Sequence, residues 1–191
     1  MKVGLVIMAS GLGKRFGGNK LMEILDGKPV IKWILDNTEN LFDRRVVVTR
    51  HREVKTLCDS QKINCILHDL PNRNDTVRIG LNYIMNDVDY CIFALADQPL
   101  IRRESIVELI NVAKSNPNMI IRAGFGDVLG APVGFPKNFF NELINLPQGK
   151  GGNYIAKNNP SAVYKVETMY DYELLDIDTV EDLEKIKTIV L

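Results

Sequence analysis

Two kinds of apolar pattern alternate along this chain. Short apolar runs read as buried strands: Val3 to Ala9, Arg45 to Thr49, Cys65 to Leu67, Tyr90 to Ala96 and Met119 to Arg122. Between them, apolar residues recur at helical spacing. Val30, Trp33, Ile34 and Leu41 mark a helix from Pro29 to about Phe42, and Glu53 to Ser60 a shorter one. After a polar loop from Leu70 to Thr76, capped by Asp75 or Thr76, Val77, Leu81, Ile84 and Met85 share one helical face. Further helices are expected over Glu104–Ala113, over Phe139–Leu146 and after Thr179, with Asp182 three positions on as its capping partner. Gly124 to Pro136, with four glycines and two prolines, is expected to be irregular, and Pro147 to Asn153 to be a glycine-rich loop. Val163–Val166 and Tyr172–Ile177 are expected to be strands.

Strands alternating with helices imply right-handed βαβ units and an α/β fold. The expected architecture has three layers, α/β/α, around a mostly parallel, Rossmann-like sheet with Tyr90–Ala96 at its centre. At 191 residues the chain is expected to be one domain. Residues 1–122 and 173–191 would form its core, and 123–172 an insertion that supplies an acceptor side.

Composition narrows the class. Hydrophobic residues make up 46% and charged residues 25%, as in a soluble globular protein. Lys plus Arg equals Asp plus Glu, 24 each, so no bulk positive field exists to hold nucleic acid. No apolar run reaches the roughly 20 residues of a membrane span. Cys58, Cys65 and Cys91 form no CxxC pair and read as reduced thiols. The apolar run after Lys2 is at the short limit of a signal core, and cleavage there would split a strand from the loop it feeds; the expectation is a cytoplasmic protein.

That loop is the first candidate for chemistry. Ser10 to Lys20 holds four glycines, three cations and no acid, directly after an apolar strand. Glycines let backbone N–H groups approach an anion, and Arg15 and Lys20 add charge where a polyphosphate would sit. As a P-loop it fails: Asn19 separates Gly18 from Lys20, and Leu21 stands where Ser or Thr would hold magnesium. As a dinucleotide fingerprint it fails at Phe16. It fits Ala9-x-Gly11-x-Gly13-x-Arg15-x-Gly17 followed by Lys20, the signature to which nucleotidyltransferase loops are similar.

Three more segments carry candidate roles. Asp97, in Leu95-Ala-Asp-Gln-Pro-Leu100, follows the central strand and would sit at the carboxyl edge of the sheet beside the loop. Such a carboxylate suits Mg²⁺, which takes one or two carboxylates and completes its shell with substrate phosphates; a turn Asp capping a helix is the alternative. Asp176 and Asp178 project to one side by period two, and Asp178 is the stronger candidate for a second metal ligand, against a plain charged helix start. Arg73-x-x-Thr76-Val-x-x-Gly-Leu81 is similar to the pattern of methylerythritol-phosphate-type cytidylyltransferases, where the Arg and the hydroxyl lie along the nucleotide; Thr76 could equally cap a helix.

Taken in order, the loop, the Thr76 segment, Ala96-Asp97-Gln98-Pro99, Pro132-Val-Gly-Phe-Pro136 and Asp178-Thr-Val-Glu-Asp-Leu183 resemble the molybdenum cofactor cytidylyltransferases and the wider molybdenum cofactor nucleotidyltransferase group. The resemblance implies the nucleotide-diphospho-sugar transferase fold and Mg²⁺-dependent transfer of CMP or another NMP from an NTP. The implied acceptor is of the molybdopterin type, and a molybdenum hydroxylase would receive the product. It implies nucleotide contacts at Ala9, Ser10, Gly11, Leu12, Gly13, Lys14, Arg15, Lys20, Arg73 and Thr76. Arg15, Lys20 and Asp97 would be catalytic, with Asp97 and Asp178 on the metal. Where the family has Gly-Asp-x-Gly-Ala-Arg, this chain has Gln148-Gly-Lys-Gly-Gly-Asn153, and Ala131 replaces a His or Asn. Two other readings remain. One is a non-catalytic accessory protein of a molybdenum enzyme. The other is an NADP-dependent oxidoreductase with Arg50 on the 2′-phosphate.

Overall fold

The computed structural model describes residues 1–190. Seven strands form the main sheet: β1 (Val3–Ala9), β4 (Arg44–Thr49), β5 (Cys65–Leu67), β6 (Tyr90–Leu95), β7 (Ile120–Phe125), β8 (Val128–Pro136) and β9 (Val163–Glu167), in the order β5-β4-β1-β6-β8-β7-β9. The most apolar run, β6, is the middle strand as its composition suggests. Only β8 runs against its neighbours β6 and β7; every other pair is parallel.

Period-two alternation distributes side chains to both faces. In β1, Leu5, Ile7 and Ala9 enter one core while Val6 enters the other. In β6, Ile92 and Ala94 face the first and Cys91 and Phe93 the second. Helices α1 (Val30–Asn37), α2 (Arg52–Ser60), α4 (Arg103–Ser115) and α7 (Val180–Val190) cover the first face. The second is covered by α3 (Arg73–Ile84), α5 (Phe140–Ile144) and α6 (Gly152–Asn158). These are the three expected layers. Burying both faces is what lets the parallel strands read as near-continuous apolar runs. Gly80 allows α3 to approach closely, since a Cβ there would fall 2.4 Å from Val6 Cγ1.

Several local expectations are revised. Asp26-Gly27, at positive φ, turns a small hairpin between β2 (Ile24–Leu25) and β3 (Lys28–Pro29), and α1 ends at Asn37 rather than near Phe42. Gly124–Pro136 is a hairpin arm, not irregular: Gly126 turns at positive φ between β7 and β8. Tyr172–Ile177 is not a strand; residues 171–174 make a 3₁₀ turn followed by extended chain. Asn72, not Asp75 or Thr76, caps α3, and the Asp75 carboxylate accepts the Asn72 backbone N–H at 3.1 Å. Thr179 and Asp182 do cap α7, exchanging bonds of 2.8 and 3.2 Å between backbone N–H and side-chain oxygen. No described helix is long and apolar enough to cross a membrane.

Candidate active site

A cleft of about 480 Å³ opens at the carboxyl ends of β1, β4 and β6. Ser10, Gly11, Leu12, Gly13, Lys14, Arg15 and Lys20 line it from the glycine-rich loop, with Arg73 and Thr76 from the start of α3 and Asp97, Asp176 and Asp178 from below. Ala9 lies buried in the strand under the loop. Residues spread over 170 positions therefore meet because parallel strands deliver their carboxyl ends to one edge.

The loop is fixed at several points. Gly13 takes φ of +57° and accepts the Gly17 N–H at 2.8 Å; a Cβ on Gly13 would fall 2.2 Å from the Gly18 carbonyl oxygen. His51 Nε2, 2.7 Å from the Gly11 carbonyl oxygen, donates to it and ties the loop to the start of α2. Ser10 donates its one hydroxyl proton to the Val48 carbonyl at 3.1 Å, so His68 Nε2, 2.8 Å away, is the donor to Ser10. Burial and then the Arg50 charge push the His68 pKa below its usual value, which keeps the ring neutral. Neither histidine carries a sequence motif; only their fall at the ends of β4 and β5 could have flagged them.

At the base of the cleft the charges are already paired. The Lys20 ammonium lies 2.6 Å from Asp97 Oδ2 and 3.0 Å from Asp178 Oδ1, and its side chain is only 7% exposed. Burial opposes that charge, but Asp97 and then Asp178 outweigh it and hold the Lys20 pKa above its ordinary value. Arg15 reaches Asp178 Oδ2 at 2.6 Å from an exposed position, a bond worth little in water. Asp176 opens to the same cleft. Desolvation in the cleft, and then the Asp97 charge, push its carboxyl up to about 6.

The donor set fits a hard divalent cation. Two carboxylates already gather their oxygens around one positive charge, and oxygen is the ligand that Mg²⁺ prefers. Among the described residues no group of three or more His, Cys, Asp or Glu is placed to hold a metal. An ion here would need further oxygens from a bound phosphate, as Mg²⁺ commonly takes them. Sequence reasoning brought Asp97 and Asp178 to one place but did not foresee that Lys20 and Arg15 pair with them in the free protein.

A family model for the MobA-like NTP transferase domain matches residues 5–163. The chain belongs to this family. Among curated relatives it is 30% identical over 118 residues to the 2-C-methyl-D-erythritol 4-phosphate cytidylyltransferase of Endomicrobium trichonymphae, an overlap of 59% of this chain and 54% of that one. The chain thus spans about half the length of that relative, and 24% and 32% of two bifunctional GlmU proteins that it also matches. Among solved structures, Rv0371c of Mycobacterium tuberculosis superposes with a TM-score of 0.86 at 20% identity, covering 98% of this chain and 99% of that one. Rv0371c has also been solved as a manganese complex. The molybdopterin-guanine dinucleotide biosynthesis protein A of Archaeoglobus fulgidus gives 0.74 at 19% identity, with 98% of both chains covered. At these identities the structural likenesses speak for the shared fold.

A second cleft of about 460 Å³ adjoins the first, sharing Met8, Arg73, Leu95 and Asp176 with it. Its other walls come from Arg122, Gly130, Ala131 and Val133 on β7 and β8 and from Gly149–Tyr154. Asn74 Oδ1 accepts the Gly149 N–H at 2.9 Å, anchoring that loop to α3. The glycine-rich stretch Gly149–Asn153 is thus part of the wall, and α6 begins within it.

Proposed function

We propose that this protein is a nucleotidyltransferase that moves CMP, or another NMP, from a nucleoside triphosphate to a phosphate-bearing acceptor of the molybdopterin type. The observation that carries the reading is the Lys20 ammonium, held between Asp97 and Asp178 beneath a glycine-rich loop with free room above it. That arrangement offers a polyphosphate both cations and a carboxylate pair able to hold a metal.

A terminal phosphate oxygen of the acceptor attacks the α-phosphorus, the bond from that phosphorus to the bridging oxygen breaks, and pyrophosphate leaves with the electron pair. A phosphate monoester is already nucleophilic, so the protein contributes position and charge rather than a covalent intermediate. Loop amides from about Leu12 to Gly17 hold the β- and γ-phosphates, and Arg15 turns from Asp178 to the leaving pyrophosphate. Lys20 stays buried and neutralises charge growing on the α-phosphate. Arg73 and Thr76 lie along the nucleoside. Mg²⁺ held by Asp97 and Asp178 would supply Lewis-acid neutralisation of the phosphate oxygens. The molybdopterin acceptor rests on the Ala-Asp-Gln-Pro and Pro-Val-Gly-Phe-Pro segments and on the family match.

The test is pyrophosphate release with Mg²⁺ and molybdopterin, comparing CTP, GTP and ATP. Acceptor-dependent release, fastest with CTP, is the expected result. Binding of CTP without release under any acceptor would leave an accessory protein and defeat the enzyme reading.

A further inference from the structure

The second cleft contains a cation without an anion. Arg122, on β7, is half-buried, and burial lowers its pKa from the usual value. Its Nε donates to the Gly130 carbonyl at 3.0 Å, Nη2 to the Leu129 carbonyl at 3.3 Å and Nη1 to Asn153 Oδ1 at 2.7 Å. All three partners are neutral, and among the described residues no carboxylate forms an ion pair with it. Guanidinium has five N–H donors, so one remains on each terminal nitrogen for an oxyanion.

We propose that Arg122 anchors an anionic group of the acceptor other than the phosphate that attacks the nucleotide. This rests on the transfer reading above and extends it to the class of acceptor. Three observations support it. First, a half-buried charge is costly unless paired, and the protein supplies no partner. Second, the surroundings are positive: Arg73, Lys150 and Lys157 line the same cleft, none in an ion pair among the described residues, and the facing acid is Asp176 at the nucleotide end. On the outer side Arg122 borders Asp127, Lys157 and Lys165, but Lys165 is paired with Glu167 and Asp127 lies exposed on the hairpin. Third, β7 is two strand spacings, about 10 Å, from β6, whose end carries Asp97. Arg122 and Phe93 both pair with Val133, so Arg122 also lies level with a position four residues before Asp97, and a group held there is set apart from the reacting one.

The guanidinium is also oriented in advance. Two carbonyls at the start of β8 and the Asn153 amide fix its plane, so little rotamer freedom is lost when an oxyanion binds.

The test follows the Arg122 Nε–H and Asn153 side-chain amide signals by nitrogen-15 NMR on the full chain, titrating inorganic sulfate into protein with and without CTP and Mg²⁺. Sulfate should shift both signals. Arg122→Gln should weaken the sulfate response at Asn153 about tenfold or abolish it. Arg122→Lys, which keeps the charge and loses the fork, should retain a weaker response, and Lys157→Gln should lower it about threefold. CTP should shift the Ser10–Lys14 amides equally in all four proteins, which also shows that each is folded. Unmoved Arg122 and Asn153 signals, or an Asn153 response unchanged in Arg122→Gln, would overturn the proposal. A sulfate response without any CTP response would instead overturn the nucleotide reading and leave Arg122 as an anion site.

Discussion

The two adjoining clefts handle charge in opposite ways. In the first, Lys20 is shared by two carboxylates and Arg15 is tied to one of them, so the charges at its base are balanced before any ligand arrives. In the second, Arg122, Arg73, Lys150 and Lys157 meet no carboxylate partner among the described residues, and the fixed guanidinium bonds only neutral acceptors. On the proposed reading, the first site exchanges partners when a triphosphate binds. The second can take an anion by simple addition. A site whose deepest charges are already paired suits a ligand that brings its own cation, as Mg²⁺-bound nucleotides do. A bare cationic site suits an anion that brings none.

The sharpest way to break this comparison is to remove a charge from each side. Asp97→Asn should lower turnover by about a thousandfold, the scale lost when a transition-state charge contact is deleted, with the fold intact by circular dichroism. Near-normal turnover in that variant would remove Asp97 from the chemistry.

Lys20→Met should cost about a hundredfold in rate and, unlike an exposed loop residue, also stability. Without the ammonium, Asp97 and Asp178 face each other, and a loss of about 1–3 kcal/mol is expected after discounting for the partial exposure of both carboxylates. The sign with pH follows from the raised Lys20 pKa. The ion-pair stabilisation is present through neutral pH and is lost only as pH climbs through that raised value. Urea titration at neutral pH measures the difference, and an unchanged midpoint would show that the pairs contribute nothing.

The smallest effect belongs to Asp176. Its carboxyl is held at about 6 in the folded protein against an ordinary 3.8. Below about pH 4 both states are protonated. Between the two values only the folded state keeps its proton, so stability falls as pH rises through 6. Asp176→Asn should therefore raise the melting temperature of metal-free protein above pH 6, by the equivalent of about 1 kcal/mol after discounting for its exposure, and change nothing at low pH. A gain of equal size at both ends would contradict this origin.

The two clefts also differ in how far the sequence disclosed them. The first cleft was legible because its parts are local signals at strand ends: Gly11, Gly13 and Gly17 directly after β1, and Asp97 directly after β6. The parallel topology then forces those ends together. The second cleft was not, for physical reasons. Glycine and proline in Gly124–Pro136 suggest irregular chain, yet Gly130 and Gly134 sit in β8 where neighbouring side chains press close, with a Cβ on Gly134 falling 2.5 Å from the Tyr90 ring. Helix α6 starts at the last of three near-consecutive glycines, Gly149, Gly151 and Gly152, which conceal it. Arg122 follows two isoleucines in an apolar strand, and its lack of a partner appears only when β8 and Asn153 fold over it. The pairing of Lys20 with the two acids was hidden because nothing in either motif specifies which cation stays with the protein and which turns to the ligand.

The most direct test of the central claim, that the Asp97–Lys20–Asp178 group is where a nucleotide and its cation are received, is calorimetric titration with CTP in Mg²⁺ and in EDTA, for the native protein and Asp97→Asn. The expected result is binding at least about tenfold tighter with Mg²⁺ in the native protein, and no such gain in the variant. A full Mg²⁺-dependent gain in Asp97→Asn would contradict it.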